Sequence, residues 1–331
     1  MIQVLMLKLS LLLTLLSTAE VSASEPEVRS VVVPPELAAV TSNPEFSGIV
    51  WSPTHHRYLM VTDDSGLKSQ GTNHAPILLA LGEDGTIDKT PIPIRGVRTI
   101  NDPESICAGP KGTYFLITSH SPNHKNKTPA ERRQLLHLTE DKLGLAVAAR
   151  LDLTKVKGKR SLFEIAGLPP DGRLDIEAIA YHAGALFIGL KSPLTEKGEA
   201  VILRLSNPIE AMRKGQLRES ALERFAAVPL CLPVEGRSVC QGISDMSFLP
   251  DDSLILSANA PKGGPKDHGG ALWHLPGPVG RTPPVLLNRF PGLKPEGVTL
   301  TPTGRSLMVV FDCDDQAPKW TEVALPSAKK N

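Results

Sequence analysis

No long stretch of the chain carries apolar residues at helical spacing. A short unit recurs instead: a strand-like run, a tight turn and a second strand-like run. It reads SGIVWSPTHHRYLMVTDD from Ser47, ESICAGPKGTYFLITSHS from Glu104, EAIAYHAGALFIGLKSP from Glu177, SDMSFLPDDSLILSANAP from Ser244 and EGVTLTPTGRSLMVVFDCDD from Glu296. Each copy opens on a polar residue, continues with a small or short one and then an aliphatic or Met: Ile49, Ile106, Ile179, Met246, Val298. The copies start at residues 47, 104, 177, 244 and 296, so they lie 57, 73, 67 and 52 residues apart. Repeats of roughly 40–50 residues with several short strands each are the mark of a β-propeller, and an all-β fold is expected.

The intervals hold the two outer strands that a propeller blade needs. PILLALGED and DKTPIPI follow the first copy, RQLLHLTED and AVAARLDL the second, AVILRLSN and RFAAVPL the third, GALWHLP and PPVLLNRF the fourth. The last copy retains only one, around WTEVALP, and the missing strand is available at the other end in Arg29–Pro34. An N-terminal strand completing the C-terminal blade closes the ring and removes two exposed sheet edges. The expectation is five four-stranded blades in a single domain over 24–331, with a sixth, degenerate blade in the 73-residue interval as the alternative. Thr128-Pro129-Ala130-Glu131 reads as a helix start, and Pro208 to Gly215 as a short helix that Gly215 ends.

Composition adds compartment and partners. Gly 27 and Pro 30 make about 17% of the 331 residues, against an ordinary share of about 12%, which suits a turn-rich chain. With 36 basic and 35 acidic side chains the net charge is +1, which argues against a nucleic-acid partner. The 41% hydrophobic content excludes disorder. Residues 1–23 read as a secretory signal peptide: Lys8, the apolar run Leu9–Leu16 and the small residues Val21-Ser22-Ala23. That run is too short to span a membrane, so no span is expected after its removal and the location is secreted or periplasmic. An exported chain permits disulfides. Cys231 and Cys240 bracket the loop-like LPVEGRSV and are expected to pair, while Cys107 and Cys313 lie in strand-like runs as small buried residues.

In a four-stranded blade the start of the innermost strand and the end of the next strand share a face. Candidate ligand-binding residues at that mouth are therefore Asp102, Glu104, Ser119, Glu177, Lys191, Asp245, Asn259 and Glu296, with Asp63, Asp64, Asp312 and Asp314 as candidate metal ligands. Asp175 and Ser244 stand at equivalent strand starts, and His74, His120, His124 and His268 fall on the same face. Converging carboxylates need protons, Lys191 or Lys294, or a cation, and oxygen donors of this kind suit Ca²⁺. The alternative is structural: Glu104, Glu177 and Glu296 could each accept backbone N–H bonds from a neighbouring blade. His120 is the candidate general base, since its ordinary pKa is near 6.5. A serine hydrolase is not indicated, because GxSxG is absent around Ser119. Pro122 breaks the helix that a His120/His124 zinc pair would need. The sequon Asn126-Lys127-Thr128 and the Gly-Pro loop 261–270 carry no further chemistry.

Several strings resemble a known family: TSHSPNHKNK followed by RRQLLHL, then IEAIAY…LFIGLKSPL…GEAVILRLSNP, and QGISDMSFLP. They are similar to the bacterial exported family catalogued as domain of unknown function 3616, related to the esterase-like phytase propellers, over about residues 46–315. The resemblance implies a β-propeller of uncharacterised role. Lys191 stands where that family often has Arg, and Ser244 where a basic residue is common, which weakens any anion site there. The phytase relatives imply Ca²⁺-dependent phosphoester hydrolysis at the level of fold alone. Two functions stay open: a propeller that binds a small ligand or a cell-envelope partner at its acidic mouth, and a metal-assisted hydrolase of a small ester, phosphoester or lactone.

Overall fold

The computed structural model describes residues 26–41, 44–63, 66–68, 74–141, 143–170, 173–260, 269–277, 282–313 and 316–325. The signal peptide 1–23, Asp64, Asp314, His268 and the loop 261–268 lie outside the described residues. The fold is all-β and propeller-like. Its five repeat copies supply inner strands at Phe46–Ser52, Pro103–Ala108, Asp175–His182, Gly242–Phe248 and Lys294–Leu300. Each inner strand runs antiparallel to the second strand of its own copy, and each lies against two other inner strands in a closed circle.

The outer strands follow where the sequence places them. The third and fourth copies form four-stranded sheets of consecutive strands. The first and second form one eight-stranded sheet, joined edge to edge by a two-residue parallel pairing of Ile94-Arg95 with Leu145-Ala146. In the last sheet Arg29–Ser30 pairs antiparallel with Lys319-Trp320. The chain then crosses to the first sheet, where Val32 N–H donates to Gly85 O (2.8 Å) and Ile87 N–H donates to Val32 O (3.0 Å). The N-terminal segment therefore covers the edge of the last sheet and ties it to the first.

The apolar residues do not gather into one central core. Five clusters sit one between each pair of neighbouring copies. Strand geometry explains the division, because alternate side chains point to opposite faces. On Arg57–Thr62, Tyr58 and Met60 face the last sheet's Met308 and Val310, while Leu59 and Val61 face the second sheet's Ile106 and Leu116. Covered on both faces, such strands read as unbroken apolar runs.

Short helices decorate this frame. Pro208–Arg213 is helical as expected, and Gly215 follows it at φ 58°. The expected helix at Pro129 is only a 3₁₀ turn, Ala130–Arg132. An unforeseen helix, Leu162–Ala166, starts on a capping box in which Ser161 and Glu164 satisfy each other's backbone N–H. Cys231 and Cys240 are joined (S–S 2.08 Å), but across a two-stranded hairpin instead of a loop. Glu235 and Gly236, both at positive φ, make its turn. No helix among the described residues is long and apolar enough to cross a membrane.

Candidate functional site

Every inner strand carries a register shift at the same place. The residue left without a partner is Ser47, Glu104, Glu177, Ser244 or Glu296: the polar opening residue of each copy. A β-bulge bends its strand and re-aims the extra side chain. Here the bulge brings Ser47, Glu104, Glu177 and Glu296 onto the wall of one cavity of about 280 Å³ at the channel mouth. Two residues earlier in each of those copies, Glu45, Asp102, Asp175 and Lys294 line it as well, Glu45 and Asp102 just ahead of their strands. The ends of the second strands add Asp63, Lys191, Asn259 and Asp312.

The residue after each bulge is small where the inner strands crowd: Gly48, Ser105, Ala178 and Gly297. A Cβ at Gly48 would stand 2.7 Å from Ser105 Cα. The fifth such residue is Asp245, only 1% exposed. Its carboxylate accepts from Ser105 Oγ (2.8 Å) and Val298 N–H (2.9 Å), and burial lifts its pKa well above the usual carboxylate range. Asp245 therefore braces the inner strands and is not among the residues that line the cavity. It fills the structural role that the sequence offered to the three glutamates.

Two further candidates lie away from the cavity wall. His120 is 3% exposed and does not line the cavity. Its Nδ1 bonds Thr118 O (2.7 Å), its Nε2 accepts from Leu153 N–H (3.4 Å), and burial lowers its pKa to about 4. With both ring nitrogens engaged by backbone, it is not placed to act as a general base. Ser119 is fully buried behind the wall, bonded to Ser121 Oγ (3.0 Å) and to Arg132 (3.3 Å). His74 and His124 also lie off the cavity.

Arg132 is the residue that sequence reasoning missed. Delivered by the 3₁₀ turn, it is 8% exposed and forms an ion pair with Asp102. It also donates to Asn101 Oδ1 (3.0 Å), Ser121 O (3.0 Å) and Ser121 Oγ (3.0 Å). These bonds hold Asp102 at φ 61°, a left-handed conformation that Asp tolerates better than most residues. Nothing in the string ERRQ distinguishes Arg132 from Arg133; the turn alone decides which guanidinium points inward.

The mouth is strongly acidic. Asp63, Asp102 and Glu104 can bring one carboxylate oxygen each within 4.8 Å of one another, and so can Glu104, Asp175 and Glu177. Burial, and after it Glu177, Asp63 and Asp175, push the Glu104 carboxyl well above the usual range, with Lys191 opposing. Glu177 and Glu296 are raised too, burial outweighing the nearby Lys191 ammonium. Lys191 Nζ lies 2.5 Å from Glu177 and 3.2 Å from Glu296; the carboxylates override its burial and raise its pKa well above the ordinary value. Lys294 pairs with Asp312 at 2.8 Å. Asn259 donates through Nδ2 to Ser244 Oγ (2.8 Å) and Pro295 O (3.0 Å).

No family model and no curated protein matches the chain. Solved structures do. An exo-β-1,3-galactanase from Phanerochaete chrysosporium, solved with β-1,3-galactotriose, is 10% identical over 91% of this chain, with a TM-score of 0.50; the chain spans 64% of its length. An endo-arabinase from Bacteroides thetaiotaomicron is 14% identical over 91% of this chain and 99% of its own, with a TM-score of 0.47. The PQQ domain of a pyranose dehydrogenase from Coprinopsis cinerea is 10% identical over 91% and 98%, with a TM-score of 0.46. At such identities the likeness is one of fold alone.

Proposed function

We propose that this chain is a five-bladed propeller whose mouth binds one divalent cation of the Ca²⁺ class and, through it, a small oxygen-rich ligand. The observation that carries the reading is Glu104, shared by two carboxylate triads whose oxygens reach within 4.8 Å of one another. Like charges this close do not all ionise unless something offsets them. The donors are all carboxylate oxygens, with no His or Cys among the triads, which suits a hard ion such as Ca²⁺ better than zinc. Asp63, Asp102, Glu104, Asp175 and Glu177 would hold it, with Arg132 keeping Asp102 in place. The resemblance to the exported family and a secreted or periplasmic location belong to the same reading, because outside the cytoplasm calcium is abundant enough for a modest site.

Hydrolysis of a small ester, phosphoester or lactone is the second reading, and Glu104 favours it. Burial and its neighbours raise the Glu104 carboxyl in the ion-free site, and binding a cation would drive that proton off and leave a carboxylate ligand beside the reacting water. A bound divalent ion would supply polarisation of the scissile bond and a more acidic water. The first test is calorimetric titration of chelator-treated protein with Ca²⁺, Mg²⁺ and Mn²⁺, alongside thermal melts. Millimolar Ca²⁺ should bind and raise the melting temperature, and Glu104→Gln should weaken binding at least tenfold while leaving the fold intact. No binding heat and no thermal shift at millimolar Ca²⁺ would sink the reading. An ester, phosphoester and lactone panel with and without chelator then separates a metal-dependent hydrolase from a binding protein.

A further inference from the structure

A groove separate from the mouth opens between the second and third copies. The short parallel pairing of Ile94-Arg95 with Leu145-Ala146 sets the loop 96–99 beside the outer strand Gly144–Leu151. The 3₁₀ turn Ala130–Arg132 and the segment that follows the outer strand add two walls, and Gly215 and Leu217 of the third copy complete the lining. The cavity measures about 900 Å³, against about 280 Å³ at the mouth. That is room for a ligand of several rings.

Its charged lining is four cations, Arg98, Arg133, Arg150 and Lys155, against two carboxylates, Glu131 and Asp152. Asp152 is shared, with Arg133 and Lys155 each 3.5 Å from it. Arg150 donates to Gly96 O (3.1 Å), which sets its guanidinium against the loop that carries Arg98. Among the described residues neither Arg98 nor Arg150 forms an ion pair, and Glu131 forms none either. The groove therefore keeps an excess of two positive charges, and a cleft of one sign concentrates its field on the space it encloses.

The lining also selects among anions. A guanidinium presents a planar fork of N–H donors that matches a carboxylate or a phosphate. Acceptors stand beside it. Gln134 spends both Nε2 hydrogens on Thr99 O (3.2 Å) and Glu131 O (3.0 Å), which leaves Oε1 to accept. Glu131 adds its carboxylate. A ligand suited to such a wall carries anionic groups and O–H donors together, as an acidic sugar does and a pyrophosphate does not. Among the described residues no aromatic ring lines the groove, so nothing there stacks on a nucleotide base.

We propose that this groove binds an acidic oligosaccharide, a short chain of sugars bearing carboxylates. Arg98 and Arg150 hold one carboxylate, and Arg133 with Lys155, gathered about Asp152, faces the next. The site does not depend on any cation at the mouth.

The test is calorimetric titration with trigalacturonate in the presence of chelator, so that no metal ion at the mouth bridges the ligand. Wild type should bind it at least tenfold more tightly than the neutral galactose trimer and more tightly than pyrophosphate, and about 0.5 M NaCl should weaken the binding. Arg98→Gln/Arg150→Gln should lose at least tenfold in affinity. The control Lys111→Gln/Arg305→Gln removes the same charge from two hairpin turns outside the groove and should bind like wild type. Equal affinity for the acidic and neutral trimers, unchanged affinity in Arg98→Gln/Arg150→Gln, or the same loss in the control would overturn the proposal. Tighter binding of pyrophosphate would overturn the assignment to a sugar. Arg98→Gln alone, which breaks no bond among the described residues, serves if the double variant fails to fold, and it must weaken binding at least threefold. Failure on any of these counts leaves the calcium reading of the mouth standing, since chelator removes that ion throughout.

Discussion

At residue scale the two sides of His120 tell different stories. Its sequence, a histidine among serines after a strand, looks like a reactive loop residue. Its backbone instead turns through φ 58°, and the ring goes inward to clip Thr118 to Leu153. Only the neutral ring protonated at Nδ1 satisfies both contacts. Because the folded pKa, about 4, is below the ordinary 6.5, the unfolded chain takes up the proton first as pH falls. The contribution of His120 is thus complete above about pH 6.5 and is lost between there and about pH 4, by about 3 kcal/mol in all. Urea denaturation at pH 7 and 4.5 should show this extra loss in wild type and a smaller one in His120→Gln; equal losses would mean the ring is not held neutral. Asp245 makes the same point: composition shows one more acidic residue at a repeat start, and only its place one step beyond the bulge turns it into a brace.

At the scale of the element, the β-bulge is the device that builds the site. The sequence displays its signature five times, a polar residue followed by a small one and an aliphatic. It does not reveal that the polar residue is extra to the register, because one inserted residue changes which face every later side chain takes without changing the composition. The hairpin Cys231–Val234 with Arg237–Cys240 was hidden for a different reason. Its turn uses Glu-Gly, not the Asn-Gly or Asp-Gly that ordinarily announces one. The disulfide closes a short loop with a sequence separation of 9. Chain entropy then assigns it at most about 2.6 kcal/mol. Reduction, or the pair Cys231→Ala/Cys240→Ala, should lower the melting temperature by a few degrees and leave the Ca²⁺ binding proposed for the mouth unchanged. A change in affinity would show that the hairpin reaches the mouth.

For the whole molecule, closure is the decisive event. The N-terminal segment pairs with Lys319-Trp320, and Arg29 lies over the Trp320 ring at 5.3 Å. Val31 N–H donates to Pro318 O at 2.8 Å before the chain crosses to the first sheet. Removing residues 26–33 would expose the edge strand Lys319–Ala324 and delete the backbone bonds that Val32 makes to Gly85 and Ile87 of the first sheet. Size-exclusion chromatography with light scattering should then show self-association, together with a lower melting temperature. A monomeric truncation with unchanged melting would mean that inter-sheet packing alone keeps the ring closed.

The sequence by itself determined the repeat, the run of strands within each copy, the return of the N-terminal strand to the last sheet and the belt of polar openings. All of these rest on local apolar patterning and turn chemistry, plus a strand left without a partner. Only the tertiary structure decided which polar residues meet. Glu104 joins Asp63, Asp175 and Glu177, Arg132 stands behind Asp102, and Lys191 spans from Glu177 to Glu296. These partners come from different copies or from distant turns of one copy. Their convergence depends on bulge register and ring closure together, and neither is a property of any short stretch of chain.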